Sequence, residues 1–242
     1  MRSKSLSLAF GAAVVVSAMG VSVASAQITI PGSARSGPLL DFPGDGLTAK
    51  LWYASVRTIA DAQAVINSRF SDTAFLSTQG VDYPQGPLDF LPNNVSTLAD
   101  FLGTDAVFLP FDPTTRGIGA NIYEFTGYFA ANAGESLRLG VGSDDGFRLT
   151  IGGVDVGSAD DRGFAFTFAD VSFEESGLYP ITLVYYANDF TDSGVLFAQE
   201  TASGIVPVSV DRLYIVPAPG AMMVLGASGL LCTLGGRRRR VG

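Results

Sequence analysis

The chain has 242 residues, with 15 Lys+Arg, 23 Asp+Glu, one cysteine and no histidine. The missing histidine excludes a Ser-His triad and a His-liganded metal centre, and the lone Cys232 excludes an internal disulfide. Abundant Gly, Phe, Val and Thr with few charges indicate short strands and turns, in one all-β domain of about 190 residues between two targeting ends.

Residues 1–26 read as a secretory signal. Arg2 and Lys4 supply the charge, Leu6 to Val23 is mostly apolar and small, and Ala24-Ser25-Ala26 fits the small-x-small cleavage rule, so the exported chain starts at Gln27. Residues 27–45, rich in Pro, Gly and Ser, read as a lead-in to a domain spanning 46–210. Leu47 to Tyr53 alternates as a strand. Over Thr58 to Phe70 the period changes: Ile59, Ala62, Val65 and Ile66 share one helical face, with Thr58 as cap and Asp61 in the first turn. A second short helix is predicted over Ser96 to Leu102, capped by Ser96 or Thr97 and stopped at Gly103.

From Ile122 onward the pattern is strands. They are predicted over 122–130, 137–142, 147–151, 154–156, 164–168, 171–173, 178–187 and 194–199. A last one over 205–210 is confined to a sheet edge by Pro207. Gly152-Gly153 is a two-residue hairpin turn. Phe147, Leu149 and Ile151 alternate with Arg148 and Thr150, so one face of that strand is apolar. The segment Gly142-Ser143-Asp144-Asp145-Gly146 reads as a β-hairpin with a rigid acidic tip, suited to a cation. Asp160-Asp161-Arg162-Gly163 is a second acidic pair, and the adjacent arginine suggests a surface ion pair. Trp52, Tyr53, Phe125 and Tyr128 sit in strands and read as core. Phe190 and Tyr83, in polar stretches, are better placed to stack on a ligand.

The C-terminus carries another address. Residues 211–220 form a linker with Val216-Pro217-Ala218-Pro219. Residues 221–236 are 16 mostly apolar positions, short of the roughly 20 that span a bilayer comfortably. Arg237, Arg238, Arg239 and Arg240 open a basic tail over 237–242, which stays cytoplasmic by the positive-inside rule. This end resembles the PEP-CTERM sorting signal of Gram-negative bacteria, with Ala218 where that motif carries glutamate. The resemblance implies a transmembrane sorting helix that anchors the chain transiently in the inner membrane. It also implies an exosortase-type processing partner and delivery to the cell envelope, the outer surface or the medium. Six of the 15 cations, Arg2, Lys4 and Arg237 to Arg240, lie in the two ends. The nine that remain face all 23 carboxylates, a formal charge of −14. Such a surface repels nucleic acid and favours divalent cations.

Three segments taken together resemble the protective-antigen-type ("PA fourteen") domain: Gly46-Leu47-Thr48-Ala49-Lys50-Leu51-Trp52, Gly142 to Leu149, and Gly177-Leu178-Tyr179-Pro180-Ile181 with Val184-Tyr185-Tyr186. Ser96 to Asp105 also fits bacterial secreted versions. The resemblance implies an antiparallel β-sandwich or barrel with one or two short helices. In sugar-binding members two consecutive aspartates joined by a cis peptide hold calcium, and the calcium contacts sugar hydroxyls. Asp144 and Asp145 fall on that pair. Calcium takes six to eight oxygens, so a later loop must add ligands: Asn188 is the preferred third, with Asp189 or Asp192 as substitutes. Phe190 lies in the same loop. The expected function is a non-enzymatic surface or matrix binding domain, calcium-dependent and directed at glycans. A ligand-free structural surface protein is the alternative, and a carboxylate glycosidase is a third reading, for which no pair of acids is marked.

Overall fold

The structure, a computed structural model, describes residues 27–83, 97–188 and 193–215. In chain order it contains β1 (Ile28–Ile30), β2 (Leu47–Tyr53), α1 (Ile59–Ser68), β3 (Thr73–Ser77), β4 (Asp82–Tyr83), α2 (Leu98–Leu102), β5 (Asn121–Ala131), β6 (Ser136–Asp144), β7 (Gly146–Ile151), β8 (Val154–Ala159), β9 (Ala165–Phe173), β10 (Gly177–Ala187), β11 (Gly194–Thr201), β12 (Gly204–Pro207) and β13 (Leu213–Tyr214). Two sheets form. One has the order β1-β9-β6-β11-β12, with β4 also on β11; the other has the order β3-β2-β5-β10-β7-β8, with β13 also on β5. Among the described strands only β1 and β9 pair in parallel.

The period-2 pattern sets the layers. On β5, Tyr123, Phe125 and Phe129 point inward and are fully buried, while Glu124, Thr126 and Tyr128 are half-buried on the other face. Leu139 and Val141 of β6 meet them from the opposite sheet in one continuous core. Over the second half of β10, from Leu183 to Ala187, both faces are buried, because α1 covers the outer one. Trp52, Val56, Ala62, Ile122, Val184 and Tyr186 form a second cluster, against which Ile59, Val65 and Ile66 pack. This is the helical face read from the sequence, and it explains why Trp52 is core although it points away from the sandwich interior. Thr58 caps α1 by accepting from the Asp61 amide, and Thr97 with Asp100 forms a capping box on α2.

Several expectations are corrected. Residues 164–168 and 171–173 are not two strands: β9 runs unbroken from Ala165 to Phe173, paired throughout with β6. The lead-in 27–45 is part of the sandwich, since β1 lies along β9 and Ile30 is fully buried. Part of the 211–220 linker likewise forms β13, whose Tyr214 hydroxyl donates to the Phe42 carbonyl. Both segments are too short for periodicity to reveal. The Gly152-Gly153 turn is as expected, with both residues at positive φ, 61° and 76°. A Cβ on Gly152 would come within 2.9 Å of Ile30 and Ala34, so that glycine also admits β1 and the turn after it. Pro207 lies on the edge strand β12. Among the described residues no helix is long and apolar enough to cross a membrane. The signal and the elements predicted for 216–242, including Pro217, Ala218, Pro219 and Arg237 to Arg240, lie outside the described residues.

An acidic side chain outside the Asp144-Asp145 pair is also buried in the core. Asp105 is completely buried and accepts from the Thr78 amide (3.1 Å), the Thr78 hydroxyl (2.6 Å) and the Tyr83 hydroxyl (2.7 Å). It ties the end of α2 to the β3–β4 turn. Asp105→Ala strands all three donors, so a loss of roughly 3 kcal/mol or more is expected, read as a fall in Tm of about 6–12 °C for a domain this size; an unchanged Tm contradicts the assignment. At the far end, Arg212 clamps Glu135 through 2.7 and 3.1 Å bonds. Burial pushes the Glu135 carboxyl up, but the Arg212 bond and the Asn132 amide outweigh it and hold the carboxyl below its ordinary value. A depressed carboxyl contributes stability that is complete above its unfolded value, about 4.3, and is lost as pH falls through the lower folded value. Glu135→Gln is therefore expected to lower Tm at neutral pH and to flatten its fall in acid, as measured by unfolding scans across that range.

Candidate metal and ligand site

Asp144 and Asp145 do not form a hairpin tip. Asp144 ends β6 in one sheet and Gly146 opens β7 in the other, so the pair makes the crossing between the two sheets at one end of the sandwich. A strand-turn-strand pattern looks the same whether the second strand pairs with the first or leaves for the opposite layer. The Asp144–Asp145 peptide is cis, as the resemblance implies. Asp145 is only 4% exposed, which no solvated turn would give.

The crossing is held from every neighbouring element. Ser143, fully buried, donates to the Asp145 carbonyl at 2.8 Å. Tyr185 of β10 donates its hydroxyl to the Asp144 carbonyl and accepts from the Gly194 amide at 3.0 Å, joining the corner to the start of β11. Gly194 pairs with Asp144 and Tyr186 with Gly146, so both later strands arrive in register. Gly146 is required there, because a Cβ would lie 2.4 Å from the Tyr186 ring, whose hydroxyl is fixed on the Arg57 carbonyl. Burial drives the Tyr185 hydroxyl well above its ordinary value; Tyr123, Asp145 and Asp144 push the same way, and the neighbouring Ser193 hydroxyl opposes them without reversing the shift. It therefore stays a protonated donor across the physiological range.

Both carboxylates are oriented. Asp145 Oδ2 accepts from the Asn188 amide at 2.6 Å, and Asp144 Oδ2 from the Phe164 amide at 3.1 Å. Asn188 thus meets the pair through its backbone. Ser193 Oγ is buried beside the Tyr185 hydroxyl with no partner in hydrogen-bond geometry. The donors at this corner are oxygens, the ligand type a hard cation takes, and the buried Ser193 hydroxyl beside Tyr185 is of the same type. Among the described residues no three acidic side chains converge as a metal cluster. Asp189, Phe190 and Asp192 lie outside the described residues.

The second acidic pair does other work. Asp160 accepts from the Ile59 amide at 2.7 Å, at the start of α1, and Asp161 pairs weakly with Arg57 at 4.0 Å. Among the described residues Arg162 makes no ion pair. It turns inward to Ser143, Thr167 and the Ala165 carbonyl. Burial pushes its guanidinium down from the ordinary value, and Asp144 opposes that shift. Tyr83, expected as a ligand-stacking side chain, is 1% exposed and bonded to Asp105. Phe125 and Trp52 are core, as expected. Tyr185, Arg162, Ser143 and Ser193 escaped the sequence reading. Alternation from Leu183 marks Tyr185 as inward-facing, but not what its hydroxyl meets.

No protein-family model and no curated protein sequence matches the chain. Among solved structures it is similar to a PA14 domain of the antifreeze protein MpAFP, with 23% identity and a TM-score of 0.58 over 75% of this chain and 96% of that one. A PA14 sugar-binding domain from an RTX adhesin matches at 18% identity and TM-score 0.57, over 72% and 99%. The A domain of Epithelial Adhesin 9 from Candida glabrata, in complex with Galb1-4GlcNAc, matches at 15% and 0.51, over 76% and 99%. The fold is therefore the PA14 type.

Tyr185→Phe removes the hydroxyl that serves both Asp144 and Gly194. A loss of about 1–3 kcal/mol is expected, with the fold retained, measured by denaturant unfolding; a neutral substitution contradicts the role given to this bond.

Proposed function

We propose that this chain is an exported, surface-located binding domain whose acidic corner takes calcium and, through it, the hydroxyls of a carbohydrate. The observation that carries the reading is the corner itself. Two adjacent carboxylates are fixed at the inter-sheet crossing, one of them almost wholly buried, with Asn188 and the buried Ser193 hydroxyl nearby. Two of the solved domains of this fold are described as sugar-binding or are in complex with a galactoside, which supports the same ligand class here.

Each residue has a stated part. Asp144 and Asp145 supply the negative charge. The Asn188 and Phe164 amides aim the two carboxylates, and Tyr185 holds the corner to β11. Asp189 and the Asn188 side chain are assigned as further ligands, and Phe190 to the apolar face of a sugar ring, on the sequence alone. When bound, calcium would supply a hard centre that coordinates vicinal hydroxyl oxygens. No catalytic role is assigned to either aspartate. The reading includes PEP-CTERM-like sorting by an exosortase-type enzyme, with the product at the cell envelope, consistent with the strongly acidic exported part.

Calorimetry on the full chain is expected to show one calcium site, lost in Asp144→Asn and Asp145→Asn, and a chelator is expected to lower Tm of the wild type alone. A glycan array probed with and without calcium then tests the sugar. Absence of calcium binding, or binding unaltered in both variants, sinks the calcium reading. Glycan binding that survives a chelator sinks the coupling between ion and sugar.

A further inference from the structure

The loop joining β8 to β9 brings a cation to the acidic corner. Arg162 reaches in between the two sheets. Its Nη1 donates to Thr167 Oγ1 at 2.8 Å, and its Nη2 donates to the Ala165 carbonyl at 2.8 Å and to Ser143 Oγ at 3.2 Å. The guanidinium lies 5.3 Å from the centre of the Phe147 ring. Ser143 passes the contact on by donating to the Asp145 carbonyl. Two residues further along, the Phe164 amide donates to Asp144. One short loop therefore touches the corner from two sides.

Arg116 lies over the rings of Tyr53 and Phe111, and Arg35, Lys50, Arg57, Arg69, Arg138, Arg148 and Arg212 each have a carboxylate within 4.0 Å. Among the described residues none lies that close to Arg162. Its nitrogens meet hydroxyls and a carbonyl, and Nε is buried with no partner. The positive charge is thus fixed by neutral oxygens and left uncancelled at contact range. Asp144, at the adjoining corner, is the carboxylate that acts on it.

We propose that Arg162 is a built-in counter-charge that weakens the corner's hold on a divalent cation and so sets the calcium concentration at which it fills. This rests on the calcium reading above. A fixed cation beside a cation site repels the ion, and the half-buried setting screens that repulsion less than bulk water does. Wild-type affinity is then expected in the weak range of extracellular modules, Kd of about 10⁻⁴–10⁻³ M, and removal of the charge is expected to tighten it about tenfold or more.

The test is calcium calorimetry on the full chain in wild type, Arg162→Gln, Arg162→Met and Arg162→Lys, with Tm of each recorded in chelator. Met keeps an apolar stem over Phe147 if Gln fails to fold, and Lys keeps the charge. Tightening in the neutral variants with near-wild-type affinity in Arg162→Lys is the expected result; damage to the fold would weaken binding instead. If the wild type binds and folded neutral variants bind no tighter, this inference fails and the calcium reading stands. If only the neutral variants bind, the inference holds and Arg162 closes the site in the native chain. If none binds, both fall.

Discussion

The Tyr185 hydroxyl donates to the Asp144 carbonyl and accepts from the Gly194 amide, and its ring is fully buried among other rings. Three strands from two sheets meet at that one oxygen: β10 supplies it, β6 ends on it and β11 begins on it. Tyr185 contacts Tyr123 at 5.5 Å, Tyr123 contacts Phe101 at 5.5 Å, and Phe101 contacts Tyr83 at 5.4 Å. Tyr83 in turn donates to the buried Asp105. A continuous aromatic file thus links the polar clasp at α2 to the polar corner at the crossing. Each end places a hydroxyl in a low-dielectric setting, where an unmade hydrogen bond is costly. The geometry at both ends is consequently fixed by the core and not by local loop preference.

The acidic corner is built against electrostatic cost. Two neighbouring carboxylates, one nearly buried, are met by amide donors, and a guanidinium is held nearby. Hydroxyls and a carbonyl anchor Arg162 without neutralising it. The same loop uses Asp160 to serve the start of α1, so the helix covering Trp52 and the loop feeding the corner are positioned together.

Much of the architecture was legible in the sequence. Alternation located β2 and β7, because an inward-facing residue at every second position is what a two-layer core demands, and aromatic content and flanking turn residues located β5 and β10. Both helices and their caps followed from the shift in period and from Thr58 and Thr97. The short strands β1, β4 and β13 were not legible: two or three residues carry no period, and their conformation comes from the partner strand. The break placed between 168 and 171 failed because Ala169 and Asp170 interrupt the hydrophobic run without interrupting the ladder.

At the site, the sequence alone determined the chemistry available: adjacent carboxylates flanked by glycines, no histidine, a single cysteine at position 232 and a strong excess of carboxylates over cations. Those are properties of composition and local order. Tertiary structure decided the rest. It turned an apparent hairpin tip into a crossing between sheets, buried Tyr83, turned Arg162 inward and set Tyr185, Ser143 and Ser193 around the pair. None of these follows from local pattern, because each depends on which strands pair and on long-range bonds such as Tyr185 to Asp144, 41 residues apart.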